Sequence, residues 1–405
     1  MKIFYGWRIV IAGGALQFLQ SMLLNQAFGA YLAVLVSEKG WSKTALSGAA
    51  ALKSTEAALL GPVVGWLIDR IGSQLIIRIG VFTFGIGFML LSQIDSIVGF
   101  YGAFVVIALG AMLCANTTVS VTIIHWFERR RAKALSSLQF GGALGGMFVV
   151  IVAWAIESYG WRITAFGSGV LICLVGWPIS RVMRSRPEDI GETPDGVPPG
   201  TPEAKAAVAK ASSSRTFTAK EAVRTRAFWL ISLGHGFALL VVTAVNVHAI
   251  AHVTEMGYSI AQASWVITLV TLVQFGGVML GWVLGEKYEK RFVAAFCMLM
   301  HMVGMLMLTY ATGWVVLASA ALIHGVAWGL RGPFMQAMRA DYFGRGSIGL
   351  IIGLSGMITV IGQIGGPMIA GIFADLTGNY RMGFTVLSLL AGLGTLFFVM
   401  AKKPV

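Results

Sequence analysis

Charge is what this sequence has least of. Only 12% of the 405 residues are Asp, Glu, Lys or Arg, while 57% are hydrophobic; an ordinary soluble domain carries roughly 25% charged residues. That excludes a water-soluble protein of this size, which needs a polar shell. Cysteine is scarce as well. Cys114, Cys173 and Cys297 are the only three, they fall inside apolar stretches and they show no paired spacing, so neither a disulfide framework nor a zinc site is expected. No nucleophile–base constellation, phosphate-binding loop or metal cluster is present, which argues against an enzyme and against a bound cofactor or metal. His248 and His252, spaced i, i+4, have no third ligand in view. Acidic residues number 17 against 30 basic ones, a net charge of +13. In a soluble chain that excess would suggest nucleic acid, but its distribution points to a membrane instead.

What is present is apolar sequence in long runs, such as 9–36, 75–91, 98–124 and 292–310. About 20 apolar residues in a helix span the hydrocarbon core once. Splitting at charge clusters and turn residues predicts twelve spans, near 8–36, 45–68, 74–94, 97–125, 133–157, 162–183, 227–253, 260–285, 292–312, 314–340, 347–373 and 379–401. The first run is too long for a signal-peptide core and has no convincing small-residue cleavage site, so it reads as a retained first helix. With the N-terminus cytoplasmic, the outer loops hold only Lys39, Lys43, Arg162 and Arg381, and apart from Lys53 and Arg331 inside spans the remaining basic residues, including Arg129–Arg131 and Arg339, fall on inner segments. This positive-inside asymmetry predicts a multi-pass protein of the cell (inner) membrane with both termini cytoplasmic.

Residues 185–226 interrupt the rhythm. They hold Pro187, Pro194, Pro198, Pro199 and Pro202, half of the ten prolines, and are polar throughout. Thr201-Pro202-Glu203 followed by AKAAVAKA reads as a capped short helix within this cytoplasmic linker. The predicted organisation is a six-helix N-terminal bundle over 1–184, the linker over 185–226 and a six-helix C-terminal bundle over 227–405.

The halves repeat each other at offsets of 216 to 219 residues. Gly40-Trp41-Ser42 recurs as Gly257-Tyr258-Ser259, and Gly65-Trp66-Leu67 as Gly281-Trp282-Val283. Asp69-Arg70 recurs as Glu286-Lys287, and Trp126-Phe127 with Arg129 as Tyr342-Phe343 with Arg345. Gly160-Trp161-Arg162 and Phe166 recur as Gly378, Tyr380-Arg381 and Phe384. Four or more matches in the same order and in equivalent loops indicate a duplicated unit. Parallel six-helix repeats put a substrate site near the membrane midplane, between the halves.

Over nearly its whole length the sequence resembles the major facilitator superfamily. The stretch G65-W-L-I-D-R-I-G72 resembles that family's signature between helices 2 and 3, although Ser73-Gln74 stand where basic residues are usual. The resemblance implies an all-α membrane fold of twelve transmembrane helices in two pseudo-symmetric six-helix bundles. It also implies a cytoplasmic gate involving Asp69, Arg70, Arg129 and Glu286. FYGWR at the start, WFERRRAKALS, RPEDIG, AVRTRAFW and DYFGR resemble the bacterial monocarboxylate and oxalate/formate transporter-like branch. Members that carry carboxylates often have an arginine in helix 8; the corresponding stretch here, Phe275–Gly281, has none. Helices 1, 4, 7 and 10 line the cavity in this family. The resemblance therefore offers Gln17, Ser21 and Asn25, Asn116 and Ser120, and Asn246 as substrate contacts.

Charges at bilayer depth cost at least about 2.5–3.5 kcal/mol each and so face a cavity or a partner. Lys53 and Glu56 lie i, i+3 on one face of the second span, roughly 12–17 Å from its outer end. They read either as a mutual ion pair or as a coupling group in which Glu56 carries a proton and Lys53 sets its acidity. Arg331 precedes Pro333 in the tenth span, where a kink is expected, and is suited to bidentate capture of a carboxylate. His324, seven residues earlier on the same face, reads as a further substrate contact or as a hydrogen-bonded packing residue. The leading expectation is a monomeric secondary transporter moving a small organic anion, monocarboxylate-like, by alternating access, coupled to protons or working by exchange. Two alternatives stay open: an exporter of cationic or apolar compounds anchored by Glu56, and a membrane sensor or lipid-handling protein on the same scaffold.

Overall fold

The computed structural model describes residues 4–41, 43–197, 201, 216–285 and 287–404. The expected short helix after Thr201 falls outside them. Among the described residues every regular element is helical. The first part of the chain forms α1 (Tyr5–Gln20), a wide π-helical turn (Ser21–Asn25), α2 (Phe28–Lys39), α3 (Lys43–Ile71), α4 (Ser73–Leu91) and α5 (Ile97–Cys114). It continues through α6 (Asn116–Trp126), α7 (Arg131–Met147), α8 (Val149–Tyr159) and α9 (Trp161–Val182). After a short α10 (Ala219–Arg224) come α11 (Arg226–Glu255), α12 (Ile260–Leu284), α13 (Lys290–Thr309), α14 (Trp314–Phe343), α15 (Ile348–Thr377) and α16 (Arg381–Met400).

Among the described residues, eleven helical segments are long and apolar enough to cross a membrane, with α5 and α6 forming one and α7 and α8 another. The twelfth expected span, α3, has the length but not the apolarity, since it carries Lys53, Glu56, Asp69 and Arg70. The surface is apolar where a soluble protein is polar. Val98 and Val315 are each 78% exposed, and Trp154, Leu174 and Leu376 are exposed too, whereas Arg331, Arg339 and His301 are buried. Hydrocarbon contact is the solvent that makes such an arrangement stable.

Several helix starts follow directly from local sequence. Ser259 accepts from the backbone N–H of Gln262 while the Gln262 side chain accepts from the N–H of Ser259, and Thr218 and Glu221 do the same at α10. Thr225 caps α11 through the N–H of Phe228 at 3.2 Å. The repeated glycines end helices. Gly40 and Gly257 (φ 65° and 93°), like Gly160 and Gly378 (φ 81° and 75°), take positive φ just beyond α2, α11, α8 and α15. That conformation favours glycine and explains why this residue recurs at the repeat offset.

The chain divides into two compact units, one of residues 1–216 with 345–353, the other of 217–344 with 354–405. In the first, α4 packs on α5 and α9, and α1 packs on α7. Gly141 lies against the Gly14 carbonyl and Gly145 against that of Phe18, so helix backbones touch. At the α8–α9 turn the Trp161 indole donates to Glu38 at 2.6 Å, and Arg162 reaches the carbonyls of Ser92 and Ile94. Hydrogen bonds from Lys39 and Arg162 hold the Asp95 carboxyl below the usual carboxylate range. In the second unit α14 packs on α12 and α13, and α16 on α13 and α11.

The α12–α14 crossing is the tightest of these. A Cβ on Gly325 would lie 2.5 Å from the Val270 carbonyl oxygen, one on Gly277 would lie 2.5 Å from that of Val326, and Gly329 abuts the Gln274 carbonyl. Small residues let membrane helices gain packing and backbone contact where no hydrophobic driving force is available. Gly276, one residue from Gly277, has nothing within 4 Å. Gly329→Ala is therefore expected to destabilise the detergent-purified protein by about 1–3 kcal/mol, as overpacking does. Gly276→Ala should leave the melting temperature within a degree or so of the parent. Equal melting temperatures for the two variants would contradict this account of the crossing.

Candidate functional site

Arg331 lies on α14 between Leu330 and Gly332 and is only 1% exposed. Its Nε and Nη1 atoms have no hydrogen-bond partner, and no ion pair among the described residues includes it. The helix runs continuously through Pro333. Proline has no N–H to give the carbonyl of Gly329, so the ladder is thinned next to the guanidinium.

Around Arg331 the second unit gathers other polar groups that are buried. His324, one turn pair earlier on α14, meets His301 of α13, with their Nδ1 atoms 3.1 Å apart and ring centroids 4.6 Å apart. The Nε2 atom of each ring is buried without a partner. Arg331 acts electrostatically on both imidazoles, on His235 of α11 and on Cys297 of α13. Nearer the C-terminal end of α14, Arg339 is also buried, but each of its three nitrogens has a partner. It donates to the Ser355 hydroxyl at 2.7 and 3.0 Å, to the Met335 carbonyl at 3.2 Å and to His235 Nδ1 at 3.0 Å; Ser355 in turn bonds Ser232 at 2.8 Å. Arg339, which the sequence places with the basic inner segments, is thus an interior residue. Among the described residues, no carboxylate takes part in the hydrogen bonds or ion pairs of these two guanidiniums, three imidazoles and two hydroxyls. Chemically Arg331, with two donors unmatched, can bind an anion, and the imidazoles can take up or release protons.

Asn246, the other expected contact on α11, is exposed and lies outside this cluster. The remaining candidates belong to the first unit. Gln17 and Ser21 are buried, with Gln17 Nε2 unpartnered, and Asn25 ends the π-helical turn. That turn arises because the N–H of Gln26 bonds the Ser21 carbonyl, five residues back, at 3.0 Å. Such insertions widen a helix and recur at functional sites. A second interruption lies at Ala115 (φ −124°, ψ −131°), between α5 and α6. Ser120, just beyond it, is buried, while the side chain of Asn116 is outside the described residues. Both breaks coincide with the polar stripes picked out in the first and fourth spans.

Lys53 and Glu56 do not form the mutual ion pair that their spacing allowed. Lys53 Nζ donates to Asn25 Oδ1 at 2.6 Å. Glu56 is 9% exposed, and neither of its carboxyl oxygens has a hydrogen-bond partner. Helical spacing put the two on one side of α3; the π-helical turn supplies the amide oxygen that draws the lysine away.

Of the gate candidates, Asp69 ends α3 and accepts from two backbone N–H groups at the start of α15, those of Gly349 and Leu350, both at 2.9 Å. A carboxylate there meets unsatisfied N–H groups and the positive end of the helix dipole. Gly65 abuts Gly349, which brings the two backbones close enough for this contact. Arg70 stacks over the Trp66 ring at 5.1 Å. Arg129 is exposed, and its backbone N–H, with those of Glu128 and Arg130, bonds the Asp195 carboxylate at 2.8 to 3.4 Å. Glu286 lies outside the described residues. Two ties were not foreseen: Asp195 on the 126–131 turn, and Arg345, which donates to the His125 carbonyl at 2.8 Å while His125 Nε2 meets the Arg345 carbonyl at 3.1 Å. His301 and Ser355 were also missed, because only the neighbouring helix reveals them.

The family profile of the Major Facilitator Superfamily matches residues 14–250 and, a second time, 231–405. Monocarboxylate transporter 13 of Bos taurus is 24% identical over 407 residues, covering 97% of this chain and 88% of its own. The Hexuronate transporter of Escherichia coli (strain K12) is 23% identical over 401 residues, covering 94% and 91%. Among solved structures, the transporter FucP in the outward conformation superposes with a TM-score of 0.74 at 15% identity, over 99% of this chain and 98% of its own. The human organic anion transporter MFSD10 gives 0.70 at 13% identity, over 97% and 99%. The structural likenesses establish the fold, and the two profile matches reach across nearly the whole sequence. The chain belongs to the Major Facilitator Superfamily, and is a multi-pass membrane transporter rather than an enzyme.

Proposed function

We propose that the protein carries a small organic anion with a monocarboxylate-like head, and that Arg331 is the group that holds the carboxylate. The observation that carries this is the guanidinium itself, buried with two donors unmatched. A buried ion without a partner is costly, and a carboxylate that accepts from Nε and Nη1 relieves the cost with two charge-assisted bonds. The likeness to monocarboxylate and hexuronate transporters supports the same cargo class. It offsets the missing arginine of the eighth span, whose role Arg331 takes from the tenth.

Glu56 is the coupling carboxyl in this reading. Burial without a partner costs least for a neutral acid, so the group carries a proton in the state described here and releases it when the site opens. Lys53, turned toward Asn25, holds the π-helical turn of the first span and thereby the position of Gln17 and Ser21. Asp69 acts as a gate residue, joining α3 to the first turn of α15 in one state and letting go in another, with Arg70, the next residue, and Arg129 as the basic groups that receive it. Basic residues on the inner segments support a cytoplasmic position for both termini. The protein works as a monomer in the cell (inner) membrane.

Proteoliposome uptake of labelled lactate, pyruvate and oxalate, with and without a pH gradient, tests the cargo. Arg331→Ala should lower transport at least about a hundredfold, since each hydrogen bond to a charged group contributes roughly 1.5–3 kcal/mol. Arg331→Lys should recover only part of it, having no fork of donors. Transport untouched by Arg331→Ala would remove the residue from the site. Glu56→Gln should remove the proton that Glu56 carries and lower accumulation driven by a pH gradient about tenfold per pH unit while counterflow persists; accumulation equal to the parent's would end its coupling role. Efflux of cationic dyes, instead of anion uptake, would favour the exporter reading with Glu56 as anchor. Asp69→Asn keeps one acceptor but loses the charge. It should lower the maximal rate at unchanged KM, and a raised KM with an unchanged rate would assign the acid to substrate binding instead.

A further inference from the structure

The His301–His324 contact has a protonation logic of its own. Two imidazoles whose Nδ1 atoms lie 3.1 Å apart are bonded only when one Nδ1 carries hydrogen and the other is bare. The neutral pair therefore holds two protons, one inside the contact and one on an outer Nε2. A third proton fits on the remaining Nε2 without breaking the contact. A fourth would set two N–H groups against each other. The pair is built to take up one proton and no more.

Its surroundings decide when that proton is welcome. His301 is fully buried and His324 is 3% exposed. On their own helices Cys297 lies one turn before His301, and Arg331 lies two turns beyond His324 on the same face. On α11 the ionisable side chains between Arg226 and Glu255 are His235, His248 and His252. His235 bonds Arg339, His248 meets the Pro367 carbonyl and His252 meets the Leu308 carbonyl. Packed against the other sides, α12 has no ionisable side chain between Ile260 and Leu284, and α16 has only Arg381 at its start. No carboxylate of these helices opposes the pair, so the nearest charge it senses is the positive one on Arg331. A proton added beside a bare guanidinium meets repulsion, and one added beside a guanidinium already holding an anion does not.

We propose that the His301–His324 pair is a second proton-binding site, loaded when an anion occupies Arg331 and emptied when the anion leaves. This rests on the anion reading of Arg331 given above. By linkage the effect is mutual, and the proton tightens the anion as much as the anion tightens the proton. With Glu56 carrying one proton and the pair another, a monoanion crosses with two, and each cycle moves one net positive charge.

Reconstituted full-length protein tests this with labelled lactate or pyruvate. Counterflow needs no net proton movement. Uptake against a potassium–valinomycin potential at equal pH on both sides responds only to net charge. The parent should show counterflow and should accumulate the anion when the interior is negative. His301→Phe with His324→Phe replaces both members of the bond by rings of similar size and leaves no orphaned nitrogen; His301→Asn with His324→Asn keeps hydrogen-bonding groups that do not titrate. Both double variants should keep counterflow within about threefold of the parent. They should lose the response to potential and about tenfold of the accumulation per pH unit, the share of one proton. A parent without counterflow of any organic anion overturns the cargo reading, and this inference with it. A parent with counterflow but blind to potential, or a double variant that keeps the response, overturns the pair alone. So does loss of counterflow in both doubles, which would make the histidines part of carriage rather than coupling.

Discussion

A guanidinium that is out of reach of water and short of partners constrains everything packed around it. Moving such an ion into a low-dielectric interior costs several kcal/mol even after relaxation, and in a membrane helix the side chain would normally reach toward the interface. Arg331 cannot, because α14 is clamped to α12 where Gly325, Gly329 and Gly277 bring backbone against backbone. The helix can neither slide nor rotate enough to free the charge without breaking that crossing. The stability of the tight crossing and the cost of the unmatched ion are thus two sides of one arrangement, which holds the protein in a state that a suitable anion would relieve.

The two units solve the problem of polar groups in a membrane differently. In the first, helices give way. The chain inserts a π-helical turn at Ser21–Asn25, breaks at Ala115 and again at Phe148, and uses the freed geometry to bring Asn25 to Lys53. In the second, each of the six spans α11 to α16 is a single unbroken helix, and polarity is concentrated in side chains that meet between helices. Backbone that departs from helical pairing is tolerated at membrane depth only where protein or water satisfies it. The first unit thus bends its backbone to serve its polar groups, while the second keeps its backbone regular and packs its charges inside.

Much of this was legible in the sequence, and the limits have a physical cause. Spans follow from the length and apolarity of each run, and the repeat from glycines whose positive φ is a backbone requirement that survives when side chains change. Arg331, Glu56 and Asp69 stand out because a charge in an apolar run needs a reason. What one strand of sequence does not show is the partner. His301 looks like any histidine in a run of methionines until α14 sets His324 against it. Lys53 and Glu56 share a helical face, yet the lysine bonds an asparagine 28 residues away. The π-helical turn has neither glycine nor proline to announce it. Periodicity speaks for one helix at a time, whereas hydrogen bonds inside a membrane protein are mostly made between helices.

The contrast between two arginines on one helix carries the functional argument furthest. Arg331 and Arg339 are both buried, both on α14 and both surrounded by the second unit. Arg339 is provided for by Ser355, by a carbonyl four residues back and by His235, which is itself aligned by the bond. Such a guanidinium is a strut: four of its five N–H donors are taken, and an incoming anion would have to displace bonds already made. Arg331 has the same charge and the same burial but not the same provision. A sequence that satisfies one buried guanidinium so completely has the means to satisfy another eight residues away, and serine or asparagine on α11, α12 or α13 would have done so. Leaving Nε and Nη1 unmatched makes sense when the missing acceptor is one that comes and goes, and a transported carboxylate is such an acceptor.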